Sequence, residues 1–377
     1  MTDTPNQPPE PPDDRERLDR IRLFRTENVG PTTFFYLIDR FGSATEAIAA
    51  LPELAARGGR DTPLRVAAPL EAEREIEAVA GLGGTHIIWG DRAYPALLAA
   101  IADPPPVLTV RGRTELLGLP SVAIVGARNA STNGRTLATR FGAQLGRAGF
   151  VVVSGLARGI DAAAHAGALA TGTCAVMAGG VDVIYPPQNE ALYHAILSKG
   201  VLVSEVAPGR EPRAGHFPRR NRIVSGLTQG TVVVEAALRS GSLITARLAA
   251  EQGREVMAVP GSPLDARAHG SNDLIRNGAT LVENAADVAM ALSGIGTARM
   301  TENDTPAEAF PDAPEEPEGG REAVIRALGP SPVAVDAVIR DVGVPAATVQ
   351  SVILELELAG RIERHAGGRI ALLSEAA

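Results

Sequence analysis

Cysteine, aromatic rings, lysine and long apolar runs are all scarce in this chain of 377 residues. Cys174 is the only cysteine, which excludes an intramolecular disulfide and any zinc site built on several thiolates. It lies in the apolar run TCAVMA, where a buried, inert thiol is the expected state. No apolar stretch approaches the roughly 20 residues that span a bilayer, so no membrane partner is expected. The opening MTDTPNQPPEPPDD is acidic and proline-rich, unlike a secretory signal or an arginine-rich transit peptide, and a cytoplasmic protein is the expectation. His86, His165, His194, His216, His269 and His365 are scattered without ligand spacing, so no metal is expected either. No Walker A sequence occurs, and the loop Gly126-Ala127-Arg128-Asn129-Ala130-Ser131 lacks the G-x-G-x-x-G pattern. The following strand ends in Ser154-Gly155, with no acid placed to hold a ribose. Nucleotide cofactors are therefore not expected.

Lys199 is the only lysine, so nearly all formal positive charge is arginine, which makes forked contacts to phosphate and stacks on bases. The formal net charge is −8, but it is unevenly spread. Residues 301–320 carry seven acids and no base, the pattern of a solvated linker, whereas residues 121–290 hold 16 Arg/Lys against 12 Asp/Glu. The middle of an acidic protein could thus meet a polyanion. The expected organisation is a disordered tail (1–14), a helical domain (15–83), a central domain (84–293), an acidic linker (294–320) and a small C-terminal domain (321–377).

The central block alternates β-branched runs with helical stretches. Strands are expected at 122–126, 150–155, 173–178, 201–205, 231–236 and 255–261, and helices across GRTLATRFGAQLGRAG and DAAAHAGALATG. Continuous apolar strands with helical crossovers imply an α/β domain with a parallel sheet covered on both faces. In the N-terminal block, helical periodicity flanks NVGPTT, where Gly30 can make a left-handed turn and Pro31 can start a helix. This is the pattern of a helix-hairpin-helix or SAM-like domain, or of a plain helical-bundle turn. At the C-terminus, three helices and a hairpin turned at Gly367-Gly368 suggest a winged helix. Its second-half helix, PAATVQSVILELELAG, carries Glu355 and Glu357 and no basic residue, which suits protein contact better than groove reading.

Ligands of open α/β sheets sit outside the carboxyl ends of the strands. Here those ends read VGARNAS, SGLARGIDAAAH, AGGVDVIYP, SEVAPG, VEAALRSGSLITA and VPGSP, a rim rich in glycine, serine and arginine. Asp161 and His165 lie one helical turn apart and could form a triad with Ser154, but an alanine-rich helix favours a structural Asp–His hydrogen bond. No catalytic residue is assigned. The most unusual passage is HFPRRNRIVSG, where Arg219, Arg220 and Arg222 crowd behind Phe217. A helix start with solvated arginines and a core-facing ring is the simpler reading. The facing glycine and serine loops, together with Arg128, Arg158, Ser131 and Ser242, favour phosphate contact and a base platform, as in single-strand binding.

These segments, together with GSNDLIRNGA, resemble the DNA-processing protein A (DprA/Smf) family over about residues 84–283, with weaker flanks. The resemblance implies an extended Rossmann-like fold that binds single-stranded DNA without sequence preference and protects incoming DNA in natural transformation. It further implies loading of the RecA recombinase, displacement of single-strand-binding protein and a homodimer formed through the Rossmann domain. Carried over by position, the strand pocket falls on Gly126, Ala127, Arg128, Ser154, Gly155, Arg158, Gly159 and Phe217, with Arg219, Arg220, Asn221 and Arg222. Many relatives carry lysine where this chain has Ala214; either the adjacent Arg213 takes over that phosphate contact or binding there is weaker. The layout also resembles nucleoside-monophosphate phosphoribohydrolases, with Glu235 as the acid, although their PGGxGTxxE signature is missing.

Overall fold

The computed structural model describes residues 12–293, 320–365 and 367–373, so nearly all of the expected tail and acidic linker lies outside the described residues. The described chain forms two compact units, one running from Glu73 to Ser293 and the other joining Asp13–Ala72 to the C-terminal segment.

Four helices open the chain: α1 (Asp14–Arg25), α2 (Pro31–Phe41), α3 (Ala44–Arg57) and α4 (Pro69–Gly81). Asp13 caps α1 by accepting from Glu16 N, Ser43 caps α3 by accepting from Glu46 N, and Pro31 occupies the first turn of α2. The left-handed turn expected at Gly30 sits at Asn28 instead (φ 62°), and Gly30 is extended (φ −90°, ψ 178°). Asparagine tolerates this region better than other side chains do, and Asn28 Nδ2 donates to Leu358 O at 3.2 Å.

The central unit is a nine-stranded mixed sheet. Its strands are β1 (Gly84–Ile88), β2 (Val107–Gly112), β3 (Ser121–Val125), β4 (Val151–Ser154), β5 (Thr173–Val176), β6 (Val201–Ser204), β7 (Gly230–Val233), β8 (Glu255–Ala258) and β9 (Thr280–Leu281), in the order β1-β2-β6-β5-β4-β3-β7-β8-β9. All six expected strands are present and mutually parallel where they pair. The antiparallel β1 and β2 at one edge and the short β9 at the other extend the expected sheet. The helices are α5 (Ala96–Ala99), α6 (Thr132–Arg147), α7 (Ile160–Ala168), α8 (Glu190–Lys199), α9 (His216–Gly226), α10 (Gly241–Glu251), α11 (His269–Arg276) and α12 (Ala285–Ser293). Alternation along β3 shows why both faces are covered. Val122 and Ile124 pack with Phe141, Leu145 and Ala164 of α6 and α7, whereas Ala123 and Val125 pack with Ile223, Val224 and Ala246 of α9 and α10. Cys174 is buried in the second layer, and burial pushes its thiol up to about 12, so it stays protonated.

The C-terminal segment is a winged helix of α13 (Gly320–Ala327), α14 (Val335–Val342) and α15 (Ala346–Leu358), with a three-stranded sheet β10 (Val333–Ala334), β12 (Arg369–Leu372) and β11 (Ile362–His365). Linear reading separates this module from the N-terminal helices; the structure gives them a common core. Leu354 and Leu358 of α15 join Leu23, Phe34, Leu37, Leu51 and Leu54. The Glu355 carboxylate is wholly buried, ion-paired with Arg57 at 3.0 Å and with Arg321. Gly58 is glycine for space, because a Cβ there would fall 2.0 Å from Glu355 O. The protein-contact surface expected on this helix is thus spent within the chain.

Candidate nucleic-acid interface

The carboxyl ends of β3, β4 and β5, with the first turns of α9, enclose an open pocket of about 280 Å³. Arg128 comes from the loop after β3; Gly155, Ala157 and Arg158 come from the loop after β4. Met177 to Gly179 and Tyr185 to Gln188 follow β5, and α9 contributes Phe217 and Arg220.

Arg220 forms the floor. It is 7% exposed and donates through one terminal nitrogen to Gly155 O and Val176 O, so it braces the ends of β4 and β5. Only glycine fits opposite, since a Cβ on Gly155 would lie 2.2 Å from that nitrogen. Burial pushes the Arg220 guanidinium down to about 10; the buried Asp161 carboxylate opposes the shift and Arg128 adds to it. Asp161 accepts from Gly155 N at 3.2 Å and Ala157 N at 3.4 Å, and burial pushes its carboxyl up despite Arg220. The Asp161–His165 hydrogen bond expected from the sequence is absent. His165 Nδ1 donates instead to Thr173 Oγ1 at 2.8 Å, since the hydroxyl hydrogen is committed to Val152 O.

Above the floor the rim is exposed and cationic. The Arg128 guanidinium stands 5.3 Å from the Phe217 ring centroid, and the half-buried Phe217 ring packs 5.6 Å from Tyr185, which is 44% exposed. Arg128 and Arg158 of this rim are exposed, as are Arg213 and Arg219 outside the pocket lining, and among the described residues no carboxylate forms an ion pair with Arg128, Arg158 or Arg213. The loop holding Arg158 is strained. Leu156 takes φ 54°, costing roughly 1–2 kcal/mol for a non-glycine residue. Its wholly buried side chain packs with Met177, Tyr193 and Ile196, which offsets that cost. Gly159 (φ 79°) lets α7 approach, since a Cβ there would lie 2.2 Å from Ala127 O.

Other expected contact residues lie elsewhere. Arg222 is 5% exposed, pairs with Glu205 and with Asp103 at 3.4 Å, and donates to Asp103 O at 2.6 Å. With its charge buried and matched, it is a structural residue and leaves the contact set. Arg219 lies on this same side, near enough to help restrain the upward shift that burial imposes on the Asp103 carboxyl. Ser154 Oγ is buried and donates to Ile124 O at 2.7 Å, tying β4 to β3. Ser242 pairs with Ser240 at 2.7 Å within the cap of α10, and Asn221 donates to Gly241 O at 3.4 Å, linking α9 to α10. Ser131 caps α6, and Gly126 and Ala127 shape the Arg128 loop from behind. Glu235, the acid of the nucleosidase alternative, accepts from Ser131 N at 2.9 Å and Ser131 Oγ at 2.5 Å. The sequence signal for Tyr185 is weak: it is an aromatic residue five positions beyond a strand-end glycine pair in a chain with 3% aromatics.

Three family models match in chain order. They are a DprA-like N-terminal HHH domain over residues 14–78, DNA recombination-mediator protein A over 85–293 and a DprA winged helix domain over 308–368. The DNA processing protein DprA of Streptococcus pneumoniae is 46% identical over 200 residues, 52% of this chain and 71% of that protein. Protein Smf of Escherichia coli is 39% identical over 293 residues, 76% and 77% of the two chains. Among solved structures, that of the S. pneumoniae DprA superposes with a TM-score of 0.61 at 35% identity, covering 73% of this chain and 96% of that one. The Helicobacter pylori DNA processing protein A, described for its single-stranded DNA binding mode, gives 0.52 at 29% identity, covering 56% and 96%.

Proposed function

The chain belongs to the DNA recombination-mediator protein A family, and from that premise we propose that it binds single-stranded DNA across the pocket at the carboxyl edge of its sheet, without reading base sequence. The observation that carries this reading is the Arg128–Phe217–Tyr185 cluster, a free guanidinium beside two partly exposed rings. An unpaired strand needs both at once: cations for phosphates and a π-face for a splayed base. Duplex readers instead insert a helix or ribbon into a groove, and α15, the helix that would do so, is buried on most of its surface.

Phosphate contacts are assigned to Arg128 and Arg158, with Arg213 flanking, and base stacking to Phe217 and Tyr185. Gly126, Ala127, Gly155 and Gly159 shape the pocket wall, and Arg220 holds its floor. Protection of incoming DNA in transformation, RecA loading, displacement of single-strand-binding protein, self-association and a cytoplasmic location complete the reading. The family resemblance supports that wider role. Glu235 supports binding over nucleosidase chemistry, since its carboxylate is held by Ser131 and does not line the pocket. Titration of fluorescent poly-dT tests the binding reading, and stimulation of RecA filament assembly on coated DNA tests the wider role. Base release from nucleoside monophosphates by the pure protein would overturn it.

A further inference from the structure

In an open α/β sheet the ligand crevice lies where the strand order reverses, here between β3 and β7. In this protein a side chain of its own occupies that place. Glu235, two residues beyond β7, receives hydrogen bonds from Ser131 N at 2.9 Å and Ser131 Oγ at 2.5 Å. The same Ser131 oxygen accepts from Gly134 N at 2.8 Å. A Cβ on Gly134 would lie 2.5 Å from the Glu235 carboxyl carbon, so the first turn of α6 is shaped around this carboxylate. It therefore takes the charge, the donors and the helix N-terminus that a phosphate would use.

The loop held in this way carries Arg128. Its far end is fixed where Ile160 N donates to Ala127 O at 3.2 Å, and Ala130 is buried in the layer beneath α6. Between these anchors only Arg128 and Asn129 are exposed.

We propose that Glu235 is an internal phosphate surrogate and a positioning residue: it fills the nucleotide crevice and thereby fixes the loop that presents Arg128 to a DNA phosphate. The second half rests on the strand-binding reading. The specificity consequence is direct. Free nucleotides find their usual seat taken, and phosphate is accepted one strand further along, where a polymer can cross the rim.

The test uses the full chain with Glu235→Gln, which keeps the shape, and Glu235→Ala, which vacates the crevice. Glu235→Ala is expected to weaken poly-dT binding by about tenfold, but by less than about twofold when introduced into Arg128→Ala, because residues acting through one another are not additive. Formate, compared with chloride at equal ionic strength, should restore most of the affinity of Glu235→Ala and leave wild type unchanged. Equal losses in both backgrounds, or unaltered affinity, would overturn the proposal. Hydrogen exchange at the Ser131 and Gly134 amides separates this idea from the strand reading. If wild type fails to bind poly-dT, the strand reading falls. Faster exchange in Glu235→Gln and Glu235→Ala, slowed again by formate in Glu235→Ala, would still support the anchoring role, and unchanged exchange would sink it.

Discussion

Arg128 and Phe217, distant in sequence, meet with the guanidinium 5.3 Å from the ring centroid. The contact holds the cation upright without neutralising it, which is what separates a phosphate ligand from a structural arginine. Arg222, five residues after Phe217, shows the opposite state, sealed between Glu205 and Asp103.

The two arginines should therefore fail in different ways. Arg128→Ala should weaken poly-dT binding by about 1–3 kcal/mol and flatten the salt slope by roughly 0.7. Arg222→Ala should instead cost stability, about 3–5 kcal/mol, by removing the buried guanidinium that pairs with the largely buried Glu205 carboxylate. Its slope should stay that of wild type in the folded fraction. Urea unfolding and anisotropy on both variants check the contrast.

Removing the Phe217 or Tyr185 ring should each lower poly-dT affinity by about 1–3 kcal/mol if the pair stacks on a base. Fluorescence quenching with a 2-aminopurine strand reads the stacking directly. Unchanged affinity with a lower Tm in Phe217→Ala would make that ring a core residue.

Gly155→Ala places a methyl group against Arg220. The guanidinium must shift, breaking its bonds to Gly155 O and Val176 O, for an expected loss of about 1–3 kcal/mol in stability. Thermal unfolding measures this, and a variant as stable as wild type would show that the floor is pliable.

His165 titrates near 3, because burial foremost and then Arg220 disfavour its charged form, against an ordinary value of 6.5. Its neutral state contributes stability fully present above pH 6.5 and lost as pH falls toward 3, at up to about 1.4 kcal/mol per pH unit. His165→Gln should lack that component. Urea midpoints for both proteins between these pH values would reveal the difference in slope.

In the unit formed by the two chain ends, Glu355 is wholly buried while Arg57 and Arg321 are partly exposed. Substituting both arginines by alanine strands a buried carboxylate and should cost about 3–5 kcal/mol, more than Glu355→Gln, which leaves solvated cations. Calorimetry of the three proteins gives the order.

Much of this architecture was legible because its signals are local. The β-branched runs mark six strands of a sheet buried on both faces, and Gly367-Gly368 marks the wing. The antiparallel strands β1 and β2 were missed because GTHII and VLTVRG are short and flanked by loops without hairpin spacing. The joint core of the N-terminal helices and α15 was invisible because Leu354 and Leu358 read as interior residues of one small domain, whichever partner they meet. At the site, residue type showed that arginines and a ring gather at the sheet edge. It could not show which arginines face carboxylates: the residues that neutralise Arg222 are Asp103 and Glu205, on separate loops. The same limit hid the Asp161 anchor and the clamp that Glu235 places on Ser131.

The most direct measurement is anisotropy of poly-dT and of a duplex of equal length with wild type and Arg128→Ala across a salt series. Tight, salt-dependent binding of wild type to poly-dT over duplex, with a slope flattened by roughly 0.7 in Arg128→Ala, is the predicted result. Equal affinity for duplex and poly-dT, or identical slopes in the two proteins, would contradict a single-strand site at this edge.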